Sequence, residues 1–137
     1  MHASTNLLKK RGLKDTLPRR AVLQALSAAV HPMSVRQIAQ SLKRQRQTMG
    51  LVTVYRVVDA LLRAGLVHRH FSGDAFSLCT LPDVHGHHVL IQCVSCGTVR
   101  EAHDHDLCKK EESVAKRLGF RSVSHASELL GTCSRCS

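Results

Sequence analysis

Four cysteines in two Cys-x-x-Cys pairs, Cys93 with Cys96 and Cys133 with Cys136, carry the spacing that most directly specifies chemistry in this sequence. Four thiolates close one tetrahedral zinc site of the structural kind, which would clamp the segment around residue 133 onto the strand carrying Cys93. The stretch leading into the first pair, His85-Gly86-His87-His88-Val89-Leu90-Ile91-Gln92-Cys93, places three histidines before a short apolar run of β type. Side chains alternate along a strand, so in an unbroken one His85, His87 and Cys93 share a face while His88 takes the other, and a single strand could feed separate metal sites. The competing reading of the cysteines, as redox-active or disulfide-forming pairs, lacks the strand-to-helix context of a thioredoxin-like site.

The elements that must position these ligands follow from periodicity. After the knuckle closed by Gly97, Thr98 to Ala102 reads as a strand and Asp106 to Leu118 as a helix with Leu107, Val114 and Leu118 inward. Phe120 to Leu130 reads as a third strand that delivers Cys133 and Cys136 back to the first pair. In the first half, Leu7 to Leu13 is a short helix or basic arm. Pro18 suits the first turn of a helix in which Val22, Leu23, Leu26 and Val30 recur at helical spacing, and His31-Pro32 stops it. Ser34 caps a second helix with Val35, Ile38, Ala39 and Leu42 on its buried side. A polar basic loop, Lys43 to Thr48, and Gly50 then lead to a third helix, capped by Thr53 and ended by Gly65.

That third helix is the most regular segment. Val54, Val57, Val58, Leu61 and Leu62 make a full apolar stripe and leave Thr53, Tyr55, Arg56, Asp59 and Arg63 on the other side. Two alternating runs follow, Leu66 to Phe71 and Ala75 to Leu78, joined by Ser72-Gly73-Asp74. Three helices and a hairpin of this kind read as a helix-turn-helix with a β wing, whose recognition helix enters the major groove by its N-terminal residues. An outward Arg56 can pair bidentately with guanine, and the Tyr55 ring can pack on a thymine methyl.

Charge divides the chain in the same place. Residues 1 to 83 contain 13 Lys and Arg against 4 Asp and Glu, while residues 84 to 137 contain 7 against 6. A basic first half and a nearly neutral, Cys/His-rich second half suggest a nucleic-acid-binding part and a metal-binding part. With 137 residues the core is modest, so metal staples would matter. No apolar run is long enough to span a membrane, and the first residues lack the apolar core of a signal peptide, so the expectation is a soluble, cytoplasmic protein with metal-binding cysteines. A zinc hydrolase would need a His-Glu-x-x-His helix, or a His-x-Glu motif paired with Pro-Cys-x-x-Cys, and neither is present.

Gly50-Leu51-Val52-Thr53-Val54-Tyr55-Arg56-Val57, then Ala64-Gly65-Leu66-Val67 with Arg69-His70, and Cys93-x-x-Cys96-Gly97-x-Val99-x-Glu101 resemble the ferric uptake regulator family of metal-dependent repressors. The resemblance extends over nearly the whole chain. It implies an α+β protein: a winged helix-turn-helix DNA-binding domain at 1–81 and a small α/β dimerisation domain with the four-cysteine zinc site at 82–137. It also implies homodimers whose affinity for double-stranded, pseudo-palindromic operators depends on a bound regulatory metal. Thr53, Tyr55 and Arg56 fall on the DNA-reading helix, Tyr55 and Arg56 matching the family's base-contacting pair. Lys14, Arg19 and Arg20 fall where family members touch the backbone or minor groove.

A second metal set, His68, Cys79, His87 and Glu101, resembles the regulatory site of the zinc uptake regulators, the zinc-sensing branch of the family. The spacing differs from the commoner family strand by an apparent one-residue shift, which leaves His85 as a rival to His87. Cys79 favours zinc, because a thiolate beside imidazoles suits a borderline-soft ion, whereas iron- or manganese-sensing relatives lean on carboxylates and histidines. Cys108 and His125, with His88 on the opposite strand face, fall where many members place an auxiliary site; His103 and His105 could supplement it. His31 resembles an interdomain ligand of some relatives. The resemblance thus implies a zinc-responsive repressor of zinc-uptake genes with one structural and at least one regulatory zinc per chain. An iron-dependent or peroxide-sensing regulator is the rival within the family.

Overall fold

Local caps start and stop the helices of the first half. The first, α1 (His2–Lys10), inserts Leu8 completely into the core. In α2 (Leu17–Ala28) the Thr16 side chain accepts a hydrogen bond from the Arg19 N–H, and Pro18 occupies a position whose N–H would have no helical partner. A reciprocal capping box opens α3 (Val35–Arg44): the Gln37 N–H donates to Ser34 Oγ at 3.2 Å and the Ser34 N–H to Gln37 Oε1 at 2.8 Å. Helix α4 (Leu51–Arg63) starts two residues before the expected Thr53 cap, with Gly50 at its N-cap and no side-chain cap bond. Thr53 therefore lies within the helix, exposed.

Gly65 ends α4 with a backbone that requires glycine. Its φ of 72° is in the left-handed region, and this lets the Gly65 N–H reach Leu62 O at 3.0 Å and the Leu66 N–H reach Leu61 O at 3.0 Å. The chain then enters an antiparallel hairpin, β1 (Val67–His70) and β2 (Ala75–Leu78), in the register Val67 to Leu78 and His70 to Ala75. Phe76 of β2 exchanges two backbone hydrogen bonds with Met33, tying the hairpin to the turn between α2 and α3. One continuous core runs from Leu8 through Val22, Ile38, Leu42, Val54 and Leu61 to Phe76. This is a winged helix-turn-helix.

The computed structural model describes residues 2–70, 74–84, 88–121 and 127–137. The chain divides between Cys79 and Thr80, two residues before the boundary read from the sequence. In the second unit, β3 (His88–Cys93) is the central strand of a three-stranded sheet ordered β4-β3-β5. It pairs antiparallel with β4 (Val99–His103), Leu90 opposite Glu101, and parallel with β5 (Ser127–Gly131), Cys93 opposite Gly131. Between β4 and β5 lies α5 (His105–Arg117), whose N-cap Asp104 accepts from the Leu107 N–H.

Packing in the second unit departs from expectation. Periodicity directs Leu107, Val114 and Leu118 inward, yet α5 contains no buried residue, and Val114 and Leu118 are 44% and 69% exposed. Ile91, Phe120, Leu129 and Leu130 are exposed as well. The buried apolar side chains among the described residues of this unit are Val89, Leu90 and Cys93. The helix is amphipathic, and the body that would cover its apolar residues is not supplied by these described residues.

Candidate metal centre

The turn after β3 builds the first Cys-x-x-Cys pair. The Gly97 N–H donates to Cys93 O at 2.9 Å and the Cys93 N–H to Thr98 O at 2.9 Å, a reversal completed by Gly97 at φ 75°. The second pair repeats the arrangement, with the Ser137 N–H donating to Cys133 O at 3.0 Å. Parallel pairing of β5 with β3 brings the two turns together: the Val94 N–H donates to Gly131 O at 2.8 Å and the Cys133 N–H to Cys93 Sγ at 3.4 Å.

All four sulfurs of Cys93, Cys96, Cys133 and Cys136 lie within 4.8 Å of one another. A tetrahedral ion with metal–sulfur bonds of about 2.3 Å sets its sulfurs about 3.8 Å apart, and Cys96 Sγ and Cys133 Sγ are 3.8 Å apart. The electrostatics fit a cation too. Hydrogen bonds from the backbone of Cys133, then of Cys96, lower the Cys93 thiol to about 6, and the Thr98 side chain, then its backbone, lower Cys96. Cys136 is pushed up to about 12 by the side chains of Cys133 and then Cys96. Thiolate charge is thus favoured at one end of the cluster and resisted at the other, which is the situation a divalent ion relieves.

A further pair of donors stands in each unit. In the first, His68 on β1 and the buried Cys79 just after β2 each offer a ligand atom within 4.8 Å of the other. The Cys79 N–H donates to Leu66 O at 2.9 Å, extending the hairpin by one bond and fixing the thiol beside β1. In the second unit, His88 Nδ1 is 2.5 Å from Glu101 Oε1, and both side chains are nearly inaccessible, at 9% and 3%. The His88 Nε2–H donates to Val84 O at 2.8 Å. Thr80 holds the other carboxylate oxygen, its N–H and its hydroxyl donating to Glu101 Oε2 at 2.8 and 2.9 Å.

Among the described residues, His88 is the histidine beside Glu101. His87, the expected ligand, and its rival His85 lie outside the described residues, as does His125. Cys108 is half-buried on α5 and joins neither ligand group among the described residues. The clamp by Thr80 and the Val84 carbonyl had no sequence signal, because both contacts depend on where the fold brings residues 80 and 84.

On α4, Tyr55 is 57% exposed and Arg56 is exposed, opposite the buried Val54, Val57, Val58 and Leu61. Lys14 is exposed. Arg19 and Arg20 are tied down locally, Arg19 donating to Lys14 O at 2.8 Å and Arg20 pairing with Asp15 at 3.0 Å.

Residues 10–130 match the model of the "Ferric uptake regulator family". The ferric uptake regulation protein of Legionella pneumophila is 37% identical over 130 residues, covering 94% of this chain and 95% of that protein. The crystal structure of holo XcZur aligns with a TM-score of 0.85 at 30% identity, over 98% of this chain and 94% of the other. A zinc uptake regulator complexed with zinc and DNA aligns at 0.88 with 25% identity, over 98% and 90%. No helix among the described residues is long and apolar enough to cross a membrane.

Proposed function

The chain belongs to the ferric uptake regulator family, and from that premise we propose that it is a zinc-responsive repressor of zinc-uptake genes, active as a metal-loaded homodimer. Members of the family are metal-responsive, DNA-binding transcription regulators and not enzymes. The single observation that carries the choice of zinc is the thiol of Cys79 beside His68, a donor pair that suits a borderline-soft ion. The likeness to two zinc regulators supports the same choice, while the Legionella relative bears the name of a ferric one.

In this reading Cys93, Cys96, Cys133 and Cys136 hold a structural zinc, which offsets the small apolar core of the second unit. Such a site supplies on the order of 10 kcal/mol of apparent folding free energy. His68 and Cys79 from one unit and His88 and Glu101 from the other hold the regulatory ion together. When bound, the ion supplies a divalent charge and a tetrahedral preference without redox chemistry. Thr80 and Val84 keep Glu101 and His88 oriented for that task. Because the donors are divided equally between the units, ligation restrains one unit against the other and favours the arrangement in which paired recognition helices meet successive major grooves. A differential affinity of about 100-fold between the two arrangements is worth nearly 3 kcal/mol, enough to change promoter occupancy substantially.

The exposed apolar side chains of α5 and β5, together with the outer edge of β5, which pairs with no further strand among the described residues, support a second copy as the covering body. Lys14 and the other basic residues of the first half support contact with the phosphate backbone of a pseudo-palindromic operator.

The test is operator binding against buffered free zinc, ferrous iron and manganese, for the wild type and for Cys79→Ser. Zinc should activate the wild type at the lowest free concentration, and Cys79→Ser should lose the response while keeping its structural zinc. Superimposable zinc curves for the two proteins, or activation by iron below zinc, would return the choice to the iron-sensing reading.

A further inference from the structure

Resting on the DNA-binding reading of α4, we propose that Val52 is a specificity-determining residue of this chain, its side chain packing against the 5-methyl group of a thymine in each operator half-site. Val52, Tyr55, Arg56 and Asp59 fall at i, i+3, i+4 and i+7 of α4 and form one exposed stripe opposite the buried face. Arg63 continues the stripe by a 2.9 Å ion pair with Asp59. At the N-terminal end of that stripe, where a recognition helix reaches furthest into the groove, stands Val52, 65% exposed. A valine left that open in the first turn of a helix has no packing task inside its own unit. Its two methyls match the one apolar group that the major groove displays.

The residue two places earlier points to the same occupant. Gly50 has φ −66° and ψ 154°, a conformation open to any residue, and a Cβ added there would meet nothing within 4 Å. Neither backbone geometry nor packing inside the chain calls for glycine at this N-cap, where Ser, Thr, Asn or Asp would bond to the helix. The start of α4 beside Val52 is therefore open to a body outside the chain. The basic residues Lys43, Arg44 and Arg46, all exposed in the approach to α4, make that body a polyanion.

Thymine and uracil differ by this one methyl, which makes the proposal separable from Arg56 hydrogen bonding. Zinc-loaded wild type would first select a duplex from a random-sequence pool, and each thymine of that duplex would then be replaced singly by deoxyuridine. At one thymine per half-site the wild type should lose about three- to fourfold in affinity, the effect of one buried methyl. Val52→Ala, with zinc content and thermal midpoint checked against wild type, should bind the thymine and uracil forms of that position equally. Val52→Ser should do the same. If both variants keep the full set of methyl preferences, Val52 does not read the base, and the thymine contacts belong to Tyr55 or to DNA shape. If the wild type selects no sequence from the pool, the DNA-binding reading itself falls.

Discussion

Arg56 is exposed on α4 one residue from the buried Val57, so in the proposed DNA-reading role shortening its side chain removes a base contact without opening the core. Arg56→Ala should weaken specific operator binding by about 1 to 3 kcal/mol while leaving zinc content unchanged. Competition between operator and random duplex measures this, and an unaltered preference would remove Arg56 from the reading face. The outward position of Tyr55 and Arg56 is legible in the sequence because a helix fixes side-chain direction by period alone. The histidine beside Glu101 is not. That choice depends on the register of β3 against β4, in which Leu90 lies opposite Glu101, and a count displaced by one residue exchanges the two faces.

At the scale of the element, β3 and the two cysteine turns it anchors are unequal partners. Cys93 is buried at the end of the central strand, and the Cys133 N–H is bonded to its sulfur, while Cys136 is exposed. Cys93→Ser should therefore lose the structural zinc and the folded second unit together. Cys136→Ser retains three thiolates and should keep zinc, but release it to a chelator faster than the wild type. Zinc release followed with a colourimetric chelator, beside thermal unfolding of the two variants, checks this ordering. Equal loss from both would mean that the four sulfurs act as one indivisible unit. The cysteine pairing is foreseeable from Cys spacing, since four thiols in a small chain leave few other ways to satisfy a tetrahedral ion, whereas the strand expected from Phe120 is β5 (Ser127–Gly131) among the described residues, with Phe120 and Arg121 outside it. The inward face assigned to α5 is not foreseeable, because periodicity identifies which side chains are apolar together and carries no information about the body that covers them.

Over the whole molecule, the two units are built on different kinds of contact. The first is assembled largely from neighbours in sequence, successive helices and a hairpin in which Val67 meets Leu78, and the pairing of Met33 with Phe76 ties the hairpin back to the helices. In the second, the central strand finds its parallel partner only after β4 and α5 have been made, Val89 meeting Ser127, and the metal-binding sulfurs come together through that same late pairing. Loop closure precedes any reward from such non-local contacts, so helical and hairpin structure forms early and parallel pairing forms late. Time then separates the two capacities of the protein. A refolding chain should pass through an interval in which the basic winged helix is formed and the sheet that brings the four cysteines together is not, and stopped-flow refolding with added zinc should show two phases. The fast phase should be independent of zinc and the slow phase accelerated by it; a single zinc-independent phase would refute the order. A nascent chain in that interval can hold DNA weakly through charge before it can answer to metal, so regulation is the last property this protein acquires as it folds.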